Sequence, residues 1–267
     1  MPEAPEAAPH PDPEVVAVLR AAGCVFAEEE AALLEAATVD DDRLERMLAR
    51  RVVGEPLEQV LDWAAFRGLR IAVAPGVFVP RRRTEPLVER AAGLLGTSTR
   101  PVVVDLCCGT GAIGVAIARR LEVELHAADL DHDAVACARQ NVTMGEVHQG
   151  DLYDALPSDL RGRVDLLAVN APYVPTEKIS LMPAEARLHE HHVALDGGGD
   201  GLDLHRRVAA GAPEWLRPGG TLLIETSSGQ AEGTAAACVE AGLRPTTLRR
   251  EETTMVEAVA PAASSRA

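Results

Sequence analysis

Ten residues constrain this chain more than any others: Asp105-Leu106-Cys107-Cys108-Gly109-Thr110-Gly111-Ala112-Ile113-Gly114. They join a Val-rich run, Val102 to Leu106, to an amphipathic run, Ala112 to Leu121. The first has the continuous apolar character of a strand buried on both faces, and the second has helical spacing. Glycines at such a strand-to-helix turn let the backbone approach a ligand without a Cβ in the way. The unit is the opening of a parallel α/β sheet.

The pattern continues downstream. Further strands are predicted at Val123 to Ala128, Val147 to Gln149, Val164 to Val169, Thr221 to Glu225, about Arg244 to Leu248, and Met255 to Val259. Helices are predicted at Asp133 to Asn141, Leu202 to Leu216 and Gly229 to Ala241. Alternation of this kind implies a parallel sheet covered on both faces. The last two strands are too close for a crossover helix, so one of them runs antiparallel. The fold class is therefore α/β, with five parallel strands and a terminal antiparallel pair.

Upstream, residues 13–60 read as a small helical domain. Apolar residues recur there at helical spacing, Asp40 to Asp42 offer N-caps, and Glu28 to Glu30 suit a helix start. Residues 61–83 read as a linking β-hairpin, with strands Leu69 to Val73 and Val77 to Val79 on either side of Pro75-Gly76. Thr84 can cap a helix running through Leu87, Val88 and Leu94, and the main domain spans 84–261. Residues 1–12 and 262–267 read as disordered tails.

Composition narrows the function. A formal charge of −15 and 3% aromatic residues argue against a nucleic-acid substrate, which needs a basic footprint and, for single strands, stacking platforms. The Arg81 to Arg83 run reads as a solvated or carboxylate-binding rim. The N-terminus has no basic and apolar signal segment, and no apolar run reaches the length of a membrane span, so a soluble cytoplasmic protein is expected. Five cysteines without C-x-x-C spacing predict neither a disulfide framework nor a thiolate metal site; Cys107 and Cys108 read as packing residues. His189-Glu190-His191-His192 lacks the i, i+4 spacing of a helical metal motif, and no metal is expected.

The glycine loop alone is ambiguous, because G-x-G-x-x-G also marks dinucleotide sites. Asp129, at the end of the next strand, could bind a ribose hydroxyl in either case. Asp105 tilts the choice, since a carboxylate there repels a pyrophosphate but can receive a cationic amino-acid moiety. Asp151, after the third strand, can accept from an adenine amine. Three carboxylates at successive strand ends suit the cationic S-adenosyl-L-methionine. Its expected contacts are Asp105, Cys107, Gly109, Thr110, Gly111, Asp129, Leu130, Asp151, Leu152 and Asn170.

The last motif is Asn170-Ala171-Pro172-Tyr173, directly after the fourth strand. It should face the same crevice as the glycine loop, outside the carboxyl ends of the strands. An amide nitrogen is a poor nucleophile because its lone pair is delocalised. A catalyst must therefore hold its N–H groups and turn the lone pair toward the methyl. The Asn170 side-chain oxygen and the Ala171 carbonyl are two acceptors at a fixed separation; Pro172 stiffens the loop, and Tyr173 offers a ring for a planar group. Asn and Pro are also ordinary turn residues, which leaves a purely structural turn as the other possibility.

These residues together resemble the HemK/PrmC family of protein glutamine methyltransferases. The resemblance covers about residues 54 to 260. It includes Gly54-Glu55-Pro56-Leu57, Phe66-Arg67-Gly68-Leu69, Pro75-Gly76-Val77-Phe78-Val79-Pro80-Arg81, Thr84-Glu85, the glycine loop, the tetrapeptide, and Glu190 with Ala194-Leu195 ahead of Gly197-Gly198 and Asp200-Gly201-Leu202. It implies a Rossmann-like, seven-stranded class I S-adenosylmethionine methyltransferase domain behind the small helical domain and hairpin. It also implies a protein substrate, the Gly-Gly-Gln loop of a peptide chain release factor. Three departures stand out: Ala171 for the family's first Pro, Arg81-Arg82-Arg83-Thr84-Glu85 for Arg-Pro-Glu-Thr-Glu, and Cys107-Cys108 in the glycine loop. Two alternatives stay open from the residues alone. One is methylation of an exocyclic nucleobase amine; the other is an NAD-binding oxidoreductase, which leaves the tetrapeptide unexplained.

Overall fold

A computed structural model of the chain describes residues 11–96, 98–250 and 252–262. The remaining positions, including most of both expected tails, lie outside the described residues. Asp12, expected in a tail, instead caps the first helix: its carboxylate accepts from the Glu14 amide at 2.8 Å.

Four helices come first: α1 (Pro13–Ala21), α2 (Ala27–Ala36), α3 (Asp41–Val52) and α4 (Leu57–Leu61). Asp40 caps α3, accepting from the amides of Asp42 and Arg43. Leu19, Leu34, Met47, Val60 and Trp63 close a core of their own. Glu30, at the acidic start of α2, is buried against the Arg51 guanidinium at 2.6 Å.

The hairpin lies elsewhere than the sequence predicts. Its strands are β1 (Trp63–Phe66) and β2 (Leu69–Ala72), paired antiparallel from Trp63↔Ala72 to Phe66↔Leu69. The turn is Arg67-Gly68, both with positive φ, and such a two-residue turn matches the twist of the flanking strands. Pro75-Gly76 does form a turn, closed by the Val77 amide on the Ala74 carbonyl at 3.2 Å, but the chain after it does not pair back onto β2. Gly76 pairs with Glu190, and its φ of 81° is the left-handed conformation that favours glycine.

After α5 (Glu85–Leu95) the main sheet is built from β3 (Val102–Leu106), β4 (Glu124–Asp129), β5 (Glu146–Gln149), β6 (Val164–Val169), β7 (Leu216–Thr226), β8 (Arg244–Arg250) and β9 (Thr253–Val259). The spatial order is β5-β4-β3-β6-β7-β9-β8. The first five are mutually parallel, and β9 inserts antiparallel between β7 and β8. This is the seven-stranded Rossmann-like arrangement.

Alternation along the strands divides the core in two. Val104, Leu106, Leu167, Val169, Leu222 and Ile224 face α9 (Asp203–Trp215) and α10 (Ala231–Glu240). Val103, Leu166, Ala168 and Leu223 face α5, α6 (Ala112–Ala118) and α7 (His132–Asn141). With both faces buried, the strands read as unbroken apolar runs, which is why they are legible in the sequence. Between β6 and α9 the chain makes an excursion that carries α8 (Ala184–His189). Among the described residues no helix is long and apolar enough to cross a membrane.

Candidate active site

One cavity of about 570 Å³ opens at the carboxyl ends of β3, β4 and β6. Parallel sheets bind ligands there, at the crevice where strand order reverses on either side of β3. Of the residues singled out in the sequence, Cys107, Gly109, Thr110, Asp129, Leu130, Asp151, Leu152, Asn170, Ala171, Pro172 and Tyr173 line it. Asp105 and Gly111 do not.

Asp105 shares the strand face of Val103, so it points under the glycine loop into the layer of α6. It is fully buried, and its Oδ2 accepts from the Gly114 amide at 2.8 Å while Oδ1 has no partner among the described residues. Burial raises its carboxyl to about 8. Gly111 has φ 75°, and a Cβ there would press on Val142 at 2.9 Å, so it serves loop-to-helix packing. Gly109 differs: its φ is also positive, but a Cβ would enter open space. That open space above a bare backbone is where a ligand can lie.

Asp129 holds the loop in place. Its Oδ2 accepts from the Gly109 amide at 2.8 Å and its Oδ1 from the Asp131 amide at 2.9 Å. Burial still pushes its carboxyl upward. Asp151 is paired with Arg207 at 2.8 Å, an arginine that also lines the cavity. The cysteine thiols are pushed up by burial and carry no thiolate, in keeping with packing roles.

The tetrapeptide forms the other end of the cavity. Asn170 donates through Nδ2 to the Thr84 hydroxyl at 3.4 Å, which turns its Oδ1 away from Thr84. Thr84 thus serves the site; it makes no side-chain capping bond to α5. Among the described residues no protein donor reaches the Asn170 side-chain oxygen or the Ala171 carbonyl. The Tyr173 hydroxyl accepts from Arg83 at 3.2 Å, and its ring meets His205 edge-on at 6.3 Å. Burial pushes the His205 imidazole down to about 4, so it stays neutral behind the tyrosine.

The loop is tied to the chain downstream of it. The Val174 amide donates to the Leu195 carbonyl at 3.1 Å, the Gly197 amide to the Val174 carbonyl at 2.9 Å, and Gln230 to the Tyr173 carbonyl at 2.8 Å. Opposite, Val77 to Arg81 forms a wall pinned by Glu190, whose buried carboxylate takes the Val79 amide at 3.2 Å and the Arg81 guanidinium. His191 joins Asp131 at 2.6 Å across the rim. Arg81 therefore binds a carboxylate, and Arg83 lies 3.8 Å from Glu225.

Sequence reasoning missed Glu225, Arg207, His205 and Thr84 as site neighbours. Glu225 ends an apolar strand as Asp105 and Asp129 do, which was an available signal. Arg207 stands 56 residues from its partner, and nothing local marks it.

Comparison with known proteins agrees with this geometry. A family model described as the methyltransferase small domain matches residues 69–203. A release factor glutamine methyltransferase of Streptomyces coelicolor is 40% identical over 195 residues, covering 71% of this chain and 69% of the relative. A 4-amino-L-phenylalanine/4-methylamino-L-phenylalanine methyltransferase of Streptomyces pristinaespiralis is 38% identical over 189 residues, covering 68% of this chain and 64% of that relative. Among solved structures, a 16S rRNA methyltransferase of T. thermophilus in complex with AdoMet and guanosine superposes with a TM-score of 0.54 at 20% identity, over 74% of this chain and 49% of that one. That likeness concerns the fold. On the family model and the identity to its relatives, the chain belongs to the methyltransferase small domain family, among the HemK/PrmC protein glutamine methyltransferases.

Proposed function

We propose that the chain methylates the side-chain amide nitrogen of a glutamine in the Gly-Gly-Gln loop of a peptide chain release factor. The protein is an S-adenosylmethionine-dependent methyltransferase, and that cofactor, when bound, supplies an electrophilic methyl group on a sulfonium. The observation that carries the substrate reading is the pair of free acceptors, Asn170 Oδ1 and the Ala171 carbonyl, at one end of the cavity.

Those two acceptors would hold both N–H groups of a primary amide and present its nitrogen lone pair to the methyl. Tyr173, held by Arg83 and His205, gives the planar amide a face to lie on. Held this way, the amide nitrogen would be free to take the methyl that the cofactor supplies and to release its proton to solvent. No strong base is needed before attack. Orientation and preorganised electrostatics supply the acceleration.

For the cofactor, the open space above Gly109 would take the backbone-hugging part of the ligand. Asp129, Leu130, Asp151 and Leu152 would line its ribose and adenine, with Cys107 and Thr110 flanking and Gly111 shaping the loop. Asp105, whose carboxyl burial keeps protonated at neutral pH, would support the loop from beneath through the Gly114 amide rather than supply a charge.

The Streptomyces pristinaespiralis relative favours a second substrate, the aryl amine of a free amino acid. An aryl amine also presents a conjugated nitrogen with two N–H groups. One assay separates the two: the pure protein with labelled S-adenosylmethionine, offered a release factor or 4-amino-L-phenylalanine. Label on the glutamine of the Gly-Gly-Gln peptide, read by mass spectrometry, supports the proposal; label on the amino acid alone refutes it.

A further inference from the structure

Away from the cavity, the outer strands of the sheet hold a second group of chemistry-bearing side chains. The register pairs His126 on β4 with Glu146 on β5, and Ala128 with His148. Residues 124, 126, 146 and 148 therefore project from one face of the sheet. His126 Nδ1 stands 3.1 Å from His148 Nε2, and the two rings stack 5.3 Å apart. Glu146 Oε2 lies 4.0 Å from the first nitrogen and 3.8 Å from the second.

We propose that His126 Nδ1, His148 Nε2 and Glu146 Oε2 form a binding site for a divalent cation of the zinc class. Ligand atoms about 2.0 to 2.1 Å from a tetrahedral zinc are roughly 3.3 Å from one another. The three observed separations bracket that value, so a side-chain movement of a few tenths of an ångström completes the triad. A fourth position is left for water, since Glu146 is mostly exposed at the sheet edge.

An independent observation concerns the other side of the His126 ring. His126 is buried, at 6% exposure, and its Nε2 has no hydrogen-bond partner among the described residues. The nearest carboxylate oxygen, Glu124 Oε1, is 3.6 Å away, and Arg163 holds that carboxylate at 3.2 Å. A metal-bound histidine characteristically donates its remaining N–H to a carboxylate. With a cation on Nδ1, the His126 proton sits on Nε2 and Glu124 is positioned to receive it.

The cation would clamp the edge strand β5 to β4. β4 ends in Asp129 and β5 leads into Asp151, so the clamp stiffens the strands that carry both cavity carboxylates. The test is zinc titration of the full chain against a chromophoric chelator, repeated with His148→Ala, Glu146→Gln and, as control, His191→Ala. His126 is left intact because its burial makes misfolding of its variants a competing explanation. Expected are one equivalent bound by the unaltered protein, a loss of affinity of at least about a hundredfold in His148→Ala, about tenfold in Glu146→Gln, and no change in His191→Ala. Absence of binding by the unaltered protein, unchanged affinity in His148→Ala or Glu146→Gln, or loss in His191→Ala overturns the assignment.

Discussion

The two ends of the cavity manage their polar groups in opposite ways. Around the glycine loop the carboxylates lean on partners of the chain itself: Asp129 takes two backbone amides, Asp151 takes Arg207, and Asp105 takes Gly114 through one oxygen, its other oxygen being unpartnered among the described residues. At the tetrapeptide two oxygens are left without donors among the described residues. Unsatisfied acceptors cost stability, so a fold keeps them where a ligand will satisfy them. The committed end shapes a pocket; the uncommitted end is where the proposed substrate amide would be held.

The contrast breaks most severely at Asn170. Asn170→Ala should lower single-turnover methylation on the order of a hundredfold or more, as loss of one preorganised polar contact does, with cofactor affinity changed only modestly. Asn170→Asp should bind cofactor at least as well and still react slowly, because its charge favours the cationic ground state over a transition state in which charge is dispersed. Near-normal turnover in the alanine variant would reduce the tetrapeptide to a turn.

At the committed end the effect should fall on binding. Asp129→Ala is expected to weaken S-adenosylmethionine binding by roughly 1.5 to 3 kcal/mol, read by calorimetry. Asp129→Asn, which keeps an acceptor for the Gly109 amide, should retain more of it. Equal losses in both would mean that charge alone matters there.

Asp105 gives a pH test. Below pH 4 its carboxyl is protonated whether the chain is folded or not. Between its ordinary value of 3.8 and about 8 only the folded chain keeps the proton, so its contribution to stability falls as pH rises through that window. Asp105→Asn should flatten the decline by about 1 kcal/mol per pH unit. Urea unfolding at pH 5.5 and 7.5 measures the slope, and an unchanged slope would place the titration elsewhere. The smallest effect belongs to Arg207→Ala: its half-exposed pair with Asp151 is worth less than about 1 kcal/mol, so cofactor dissociation should change by no more than about fivefold.

Much of the sheet was legible because buried parallel strands announce themselves as Val- and Leu-rich runs. β3 and β6 lie where the sequence places them, and β4 and β5 begin or end within one residue. The hairpin was not, because Arg67-Gly68 and Pro75-Gly76 are both turn-like dipeptides and only pairing with Glu190 distinguishes them. β7 also runs farther than expected, through Pro218-Gly219-Gly220, where the register with β6 shifts between Val164 and Leu166. In the site, residue types and their order foretold which strand ends meet. They did not foretell that Asp105 faces the helix layer, nor that Asp151 is already paired, since strand parity and long-range ion pairs leave no local trace.

The ties between Val174 and Leu195, and between Val174 and Gly197, bring the two feet of the excursion after β6 together beside the acceptors. Between those feet the chain is fastened once more, by Glu190 to Gly76, Val79 and Arg81 and by His191 to Asp131, so the stretch from Glu177 to Leu188 spans two closed bases. The exposed side chains of that stretch, Leu181 and Leu188 among them, can change without moving Asn170, the Ala171 carbonyl or the Glu190 anchor. It behaves as a visor riveted at both ends, whose outer surface can vary while the eye behind it stays fixed.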